Sequence, residues 1–415
     1  MTVLTRFQRS PEHALPRPRA RRDRPRLGFW LVAYAFMVTM AFSALPTPLY
    51  VLYQARDGFG PFTLTLVFAT YAAGVAVSLL LAGHVSDWLG RRRVLVPAIG
   101  INVVSGVVFL AWPAVPGLLI ARFVSGISIG MLTATATAHL SELHLSAHPG
   151  ASRSRADVVA TAANLGGLGL GPLLAGLLAQ FAPDPLHLPF YVAEVLMIVA
   201  ALIMALVPET VERPEPRPAY RPQRVSVPPA ARHTFLAAGG AGAVVFSLFG
   251  LFTSLAPSFL AGTLHDTSHA LAGAVAFLMF GAAALSQILL ARSPLHRQFQ
   301  FGFAGLAVGI AAVTAAVWIV SLPLLLAGGA LAGAGAGAAF KGSVSTVINI
   351  APAGSRGEAL AGLFLASYLG LAIPVVGLGV ATQYLSAPVA LLVFAAALLA
   401  GLGTVGRLLL RRPAG

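Results

Sequence analysis

The sequence predicts an all-α membrane protein with twelve transmembrane helices in two six-helix bundles. Three observations predict it. The 415 residues are 57% hydrophobic and only 10% charged, well below the roughly 25% charge of an average soluble domain. Apolar runs of the roughly 20 residues needed to cross a hydrocarbon layer of about 30 Å recur twelve times. A proline- and arginine-rich segment, 208–232, separates them six and six.

The runs fall near 28–53, 61–83, 93–112, 116–140, 156–181 and 188–207, then 233–257, 269–291, 299–319, 322–349, 357–380 and 386–409. The chain thus divides into a basic tail (1–27), an N-terminal bundle (28–207), the linker (208–232), a C-terminal bundle (233–409) and a short tail (410–415). The first tail is rich in Arg and Pro and has no small-residue cleavage site after a short apolar core. It reads as a cytoplasmic tail, not a secretory signal.

Charge sorts the loops. The formal net charge of +14 is almost entirely arginine. The N-terminal tail, Arg91–Arg93, Arg153, Arg155, the linker, Arg292, Arg297, Arg356, Arg411 and Arg412 fall on one side of the spans. The other side keeps only Arg56 in its loops, beside Asp57. Basic loops stay in the cytoplasm, so both termini are expected there, in a bacterial plasma membrane. These arginines flank apolar spans and meet anionic lipid headgroups. With no basic face interleaved with aromatics, nucleic acid is not an expected partner.

An internal repeat supports two related bundles. Arg155-Ala156-Asp157 opens the fifth span, which continues through Gly171-Pro172 to Gln180. Arg356-Gly357-Glu358 opens the eleventh, with Pro374 and Gln383 in matching order. A weaker echo links Phe42–Pro46 in the first span with Phe252–Pro257 in the seventh. Such repeats place a substrate site between the halves, near mid-membrane.

The most specific motif is Gly83-His84-Val85-Ser86-Asp87-Trp88-Leu89-Gly90-Arg91-Arg92-Arg93, a tight basic turn between the second and third spans. It resembles the corresponding loop of the major facilitator superfamily, Gly-x-x-x-Asp-Arg-x-Gly-Arg-Arg, with Trp88 at the usual basic position. Arg122, Ser125, Gly126 and Gly130 resemble that family's fourth-span segment. Gly167 to Gly176, with Gly171 and Pro172, resembles the fifth-span segment of its drug:proton antiporter branch, Ala175 replacing one glycine. The resemblance implies the major facilitator fold and a monomeric carrier. It also implies a conformational latch of Gly83, Asp87, Gly90, Arg91 and Arg92. In it Asp87 faces the start of the eleventh span while the cavity opens outward, and Arg91 pairs with an acid at Glu142. One departure stands out: the first span has no acid, whereas many proton-coupled drug antiporters carry one there.

Other residues bear on substrate and coupling. Arg122 lies inside the fourth span, where it either snorkels outward or needs a buried partner. Glu194 is the one acid within the sixth span, at similar depth, and is either a proton-coupling group or an interfacial, structurally paired carboxylate. Lys341, the sole lysine, either snorkels to the inner headgroups or faces the cavity. Tyr50, Phe246 and Phe249 point to an apolar, aromatic cavity.

Chemistry beyond transport has little support. The chain has no cysteine, which excludes disulfides and thiolate metal sites. His139, His144, His148 and His187 lack metal-ligand spacing inside a span, and no phosphate-cradling loop is present. No cofactor, metal or catalytic site is expected. The expectation is a secondary transporter exporting a small amphipathic or drug-like molecule against proton entry. The alternatives are a facilitator or symporter for a small metabolite, and a transporter-fold sensor or membrane partner that binds without translocating.

Overall fold

The computed structural model describes residues 19–211, 220–352 and 355–410. The rest of both tails and of the linker, with Arg213, Arg217, Arg411 and Arg412, lies outside the described residues. Among the described residues, twelve helices are long and apolar enough to cross a membrane. In the N-terminal half they are α1 (Arg19–Ala44), which continues through a 3-10 turn into the short α2 (Tyr50–Asp57), then α3 (Pro61–Ala82), the one-turn α4 (Ser86–Leu89), α5 (Arg91–Ala111), α6 (Val115–Ala147), α7 (Ser154–Phe181) and α8 (Leu188–Leu206). The second half holds α9 (Arg232–Ser254), the short α10 (Ala256–Gly262), α11 (His269–Leu289), α12 (Leu295–Trp318), α13 (Leu322–Ile350), α14 (Arg356–Ala381) and α15 (Ala387–Leu410).

Local sequence explains the helix ends. α3, α6, α8 and α13 carry a proline in their first turn, where no helical N–H is required. At α11 the Ser268 hydroxyl accepts a hydrogen bond from the Leu271 N–H at 3.1 Å, capping an orphan donor. Side chains such as Val104, Val107, Leu202, Leu285 and Ile373 project outward. Such an apolar exterior is tolerable in lipid, where closed helices satisfy their own backbone.

Small residues set how closely helices approach. Gly74 of α3 and Gly126 of α6 face one another so tightly that an added Cβ would strike the opposing backbone. Gly302, Gly305 and Gly309 of α12 meet Ala339, Gly335 and Ala332 of α13 in the same manner. Without a hydrophobic drive between helices in lipid, such close backbone packing is a principal source of association.

The two halves break their first helices alike. α1 stops at Ala44, before Pro46, and α9 stops at Ser254, before Pro257. In each, a short helix follows, and the Ser258 hydroxyl of α10 donates to the Gln54 Oε1 of α2 at 3.0 Å. The bundles therefore meet at the end of the molecule opposite the arginine-rich turns.

Two boundaries differ most from the sequence expectation: α1 begins at Arg19, within the segment expected as a tail, and α6 runs past its expected end. α6 runs to Ala147 rather than ending near 140, because its polar last turns gain partners from α5 and the linker. The last residues before the linker, and the linker itself, also pack against the N-terminal bundle. Arg92 donates from Nη1 to the carbonyls of Ala205 and Val207, both at 3.2 Å. Further on, the Tyr220 hydroxyl donates to the Leu81 carbonyl at 3.0 Å and the Gln223 N–H to the Leu80 carbonyl at 2.7 Å.

Candidate functional site: a central cavity open at the basic end

A cavity of about 1060 Å³ lies between the halves. It runs from Phe280 in the middle of α11 and Thr253 near the end of α9 to Asp87, Arg153, Arg224 and Glu358 at the arginine-rich end. The Asp87 side chain there is 65% exposed. At the opposite end the bundles are in contact. The His269 N–H donates to Gln180 Oε1 at 2.9 Å. Gly176 abuts the His269 carbonyl, Gly273 abuts the Pro172 carbonyl, and Gly379 of α14 abuts the Thr65 hydroxyl of α3.

The middle of the cavity is aromatic and crosses from one half to the other. Phe68 pairs with Tyr71, Tyr71 with Tyr368, Tyr368 with Phe246 and Phe246 with Phe249, at centroid distances of 5.1–6.3 Å. Tyr71 belongs to α3 and Tyr368 to α14, so the contact spans both bundles. Phe340 joins this group 5.2 Å from Phe246. Such rings offer faces for apolar bodies and for cations.

Arg122 lies at the edge of the aromatic group and is 2% exposed. Its Nη1 donates to the Ser43 carbonyl at 2.5 Å. That carbonyl is free because the helix stops at Ala44, leaving the last carbonyls of α1 without helical donors. The guanidinium also sits over Tyr71, 4.5 Å from the ring centroid, and Phe68, at 5.1 Å. Its Nε–H is buried without a partner. Arg122 and Glu194 make no ion pair or hydrogen bond. Glu194 points instead between α8 and α5, against Gly106 and near Phe42, and neither carboxyl oxygen has a partner.

Lys341 lines the cavity, half-buried, and no described carboxylate lies within ion-pair distance. Phe246 and Phe249 line it as well. Tyr50 does not: it is packed in the closed end with Tyr53, and both hydroxyls are buried without a partner. In the fifth span, Gly167 and Gly171 lie against the α1 backbone at Met37 and Ala41, while Gly176 faces α11.

At the basic end, Arg91 is engaged through all three of its guanidinium nitrogens. It donates from Nη2 and Nε to Glu142 Oε1 at 2.9 and 3.2 Å, and from Nη1 to Asp87 at 2.5 Å and Ser86 at 2.8 Å. Asp87 makes this bond within its own turn and lines the open mouth rather than touching α14. Sequence reasoning missed Glu209, whose Oε1 accepts the Arg91 backbone N–H at 2.8 Å. It also missed Thr210, whose hydroxyl donates to Glu142 Oε2 at 2.5 Å, and Pro208, whose carbonyl lies 3.1 Å from His139 Nε2. The one signal for Glu209 was an acid directly after a proline at the end of an apolar run. Among the described residues no group of three metal-ligating side chains is assembled.

Two helix bundles enclosing a central cavity, open at one end and closed at the other, define a multi-pass membrane protein of two-bundle architecture. The chain belongs to the Major Facilitator Superfamily, whose family model matches residues 27–319. It is similar to a probable glucose transporter of Neurospora crassa, 32% identical over 94 residues, which are 23% of this chain and 16% of that protein. It is also similar to an uncharacterized transporter of this type from Methanocaldococcus jannaschii, 26% identical over 174 residues, 42% of this chain and 43% of the relative. The chain thus spans less than half the length of either curated relative. Among solved structures, the human organic anion transporter MFSD10 is matched at a TM-score of 0.66 and 19% identity, over 94% of this chain and 100% of that one. The nucleoside transporter NupG is matched at 0.69 and 12%, over 92% and 99%. At these identities the likeness is one of fold. The family is one of membrane transporters.

Proposed function

We propose that the chain is a monomeric alternating-access carrier of a bacterial plasma membrane that exports small amphipathic molecules against proton entry. The observation that carries this reading is the mid-membrane aromatic cavity, shared by both bundles and open at one end only. The open end carries the arginines, so the positive-inside tendency assigns it, with both termini, to the cytoplasm. The site is then poised to load from the cytoplasm. The glycine- and proline-containing seam of α7 against α11 is the contact that must part for release outward. Glu194, buried with both oxygens unpartnered, is the proposed proton-coupling group, and the Asp87–Arg91–Glu142 cluster the proposed latch, remade in each cycle.

A second reading, a facilitator uncoupled from protons, has its own support. All three carboxylates lining the cavity, Asp87, Asp157 and Glu358, lie toward the mouth rather than at mid-depth. A sugar site of the kind named for the Neurospora relative would want more amide and carboxylate groups than this aromatic lining supplies.

Inside-out vesicles with an acidified lumen and a pH-sensitive dye test the choice. Amphipathic anions, neutral amphiphiles, lipophilic cations and sugars are added to wild type, Asp87→Asn and Glu194→Gln. Substrate-triggered proton release by wild type that is lost in Glu194→Gln supports coupled export. Substrate movement without proton movement replaces it with the facilitator.

A further inference from the structure

We propose that the cavity selects amphipathic organic anions, with the acidic head held between Arg122 and Lys341 and the apolar body on the aromatic group that joins the bundles. The inference rests on the carrier reading above and names its substrate class.

Charge placement is the first argument. The cavity wall carries six cationic side chains, Arg91, Arg122, Arg153, Arg221, Arg224 and Lys341, against three carboxylates. Arg91 is taken up by Glu142 and Asp87. At mid-depth, Arg122 and Lys341 are the two cations, and no described carboxylate lies within 4 Å of either. By helical rise Arg122 is about 10 Å from the closed-end terminus of α6, and Lys341 about 13 Å from the basic-end terminus of α13. Both levels fall well inside a hydrocarbon layer of about 30 Å.

Cost is the second argument. A guanidinium offers five N–H donors, yet Arg122 has one hydrogen-bond acceptor, the Ser43 carbonyl, and its Nε–H is buried without any. Charged side chains at this depth are expensive unless paired, and they mark substrate or ion pathways. The two rings beneath Arg122 stabilise its charge without occupying its in-plane donors. A carboxylate, sulfonate or sulfate accepts in that plane, with the geometry guanidinium favours.

The surroundings supply the third argument. Phe246, Phe340 and Phe364 are linked at centroid distances of 5.2 and 5.8 Å beside Lys341. Tyr368 joins them to Tyr71 and so to the Arg122 side. An aryl or branched alkyl body between these rings leaves its acidic group near both cations. A small hydrophilic anion would find the charges but not the walls.

Matched probes test this: naphthalene-2-sulfonate, 2-naphthol and 2-naphthylmethylammonium share one aromatic body. Their affinities are measured by calorimetry on full-length protein in nanodiscs, for wild type, Lys341→Met, Lys341→Arg and Arg122→Lys. The sulfonate should bind wild type about tenfold or more tighter than 2-naphthol, the factor expected of one charged hydrogen bond. Lys341→Met should lose that factor for the sulfonate and leave 2-naphthol unchanged, and Lys341→Arg should restore it. Because Arg122 also holds α1, the conservative Arg122→Lys variant serves there, and it should weaken the sulfonate more than the naphthol. Equal affinity for all three probes, tighter binding of the ammonium, or sulfonate binding indifferent to Lys341→Met overturns the proposal. Counterflow of the same probes in proteoliposomes separates the two readings. Exchange of the neutral or cationic probe alone leaves the carrier standing and removes the anion site. Sulfonate binding without exchange does the reverse.

Discussion

Gly273 of α11 rests on the backbone carbonyl of Pro172 in α7, so the two bundles meet there with no side chain between them. Release outward requires this contact to part. Gly273→Leu should force it apart, since overpacking costs about 1–3 kcal/mol, enough for about a fivefold or larger shift in population. The chain has no native cysteine, so Thr65→Cys, buried at the closed end against Gly379, reports alone. Its labelling by an impermeant maleimide should accelerate by about that factor in Gly273→Leu. An unchanged rate means the seam does not seal this end.

The Glu194 carboxyl occupies the space that a Cβ on Gly106 would need. Gly106→Ala should therefore lower thermal stability, by about 1–3 kcal/mol if the carboxyl has no other room. In a Glu194→Ala background the same change should cost much less. The non-additivity is the informative quantity, and additive losses would place the carboxyl elsewhere.

Arg91 and Glu142 form a largely buried pair, their side chains 12% and 33% exposed. A double-mutant cycle of Arg91→Gln and Glu142→Gln should return a coupling of about 0.5–3 kcal/mol, as for residues sharing one network. Thr210→Val should reduce the coupling, because its hydroxyl also holds Glu142. A coupling near zero, read from detergent melting curves, would leave the arginine as a topology signal alone.

Gly90 carries a φ of +114°, a conformation only glycine adopts readily. An added Cβ there would also strike the Glu209 carboxylate. Gly90→Ala should thus cost about 1–3 kcal/mol in backbone strain, and it should loosen the linker from α5. Faster proteolysis within 208–232 together with a lower melting temperature is the expected result. Unchanged values of both would contradict the geometry.

Much of this was legible in the chain because lipid imposes a simple rule on length and hydropathy. The twelve spans follow from apolar runs, whereas the breaks of the first and seventh helices before Pro46 and Pro257 showed only as an echo between the two segments. The Gly90 turn is readable from the motif, since tight basic turns need glycine. What escaped depends on helix rotation and on partners distant in sequence. Arg122 and Glu194 lie at similar depth, yet Glu194 turns toward Gly106, and depth along a helix says nothing of facing. Tyr50 looked like a cavity residue until the break after Ala44 carried it into the closed end. The apolar run of α6 stops near 140 because Ser141, Glu142 and His144 are polar, yet the helix continues to Ala147. Arg91 and Thr210 supply partners to Glu142 there, at sequence distances no local pattern reveals.

Paired spin labels in nanodiscs measure alternating access most directly. One pair joins the bundles at the basic end, Arg93→Cys with Arg297→Cys; the other joins them at the closed end, Phe181→Cys with Tyr384→Cys, and all four positions are exposed. A carrier of this kind should show opposed shifts: in Gly273→Leu the basic-end distance shortens while the closed-end distance lengthens. If both pairs keep one unchanged distance in wild type and in Gly273→Leu, the bundles do not rock about the cavity, and alternating access is contradicted.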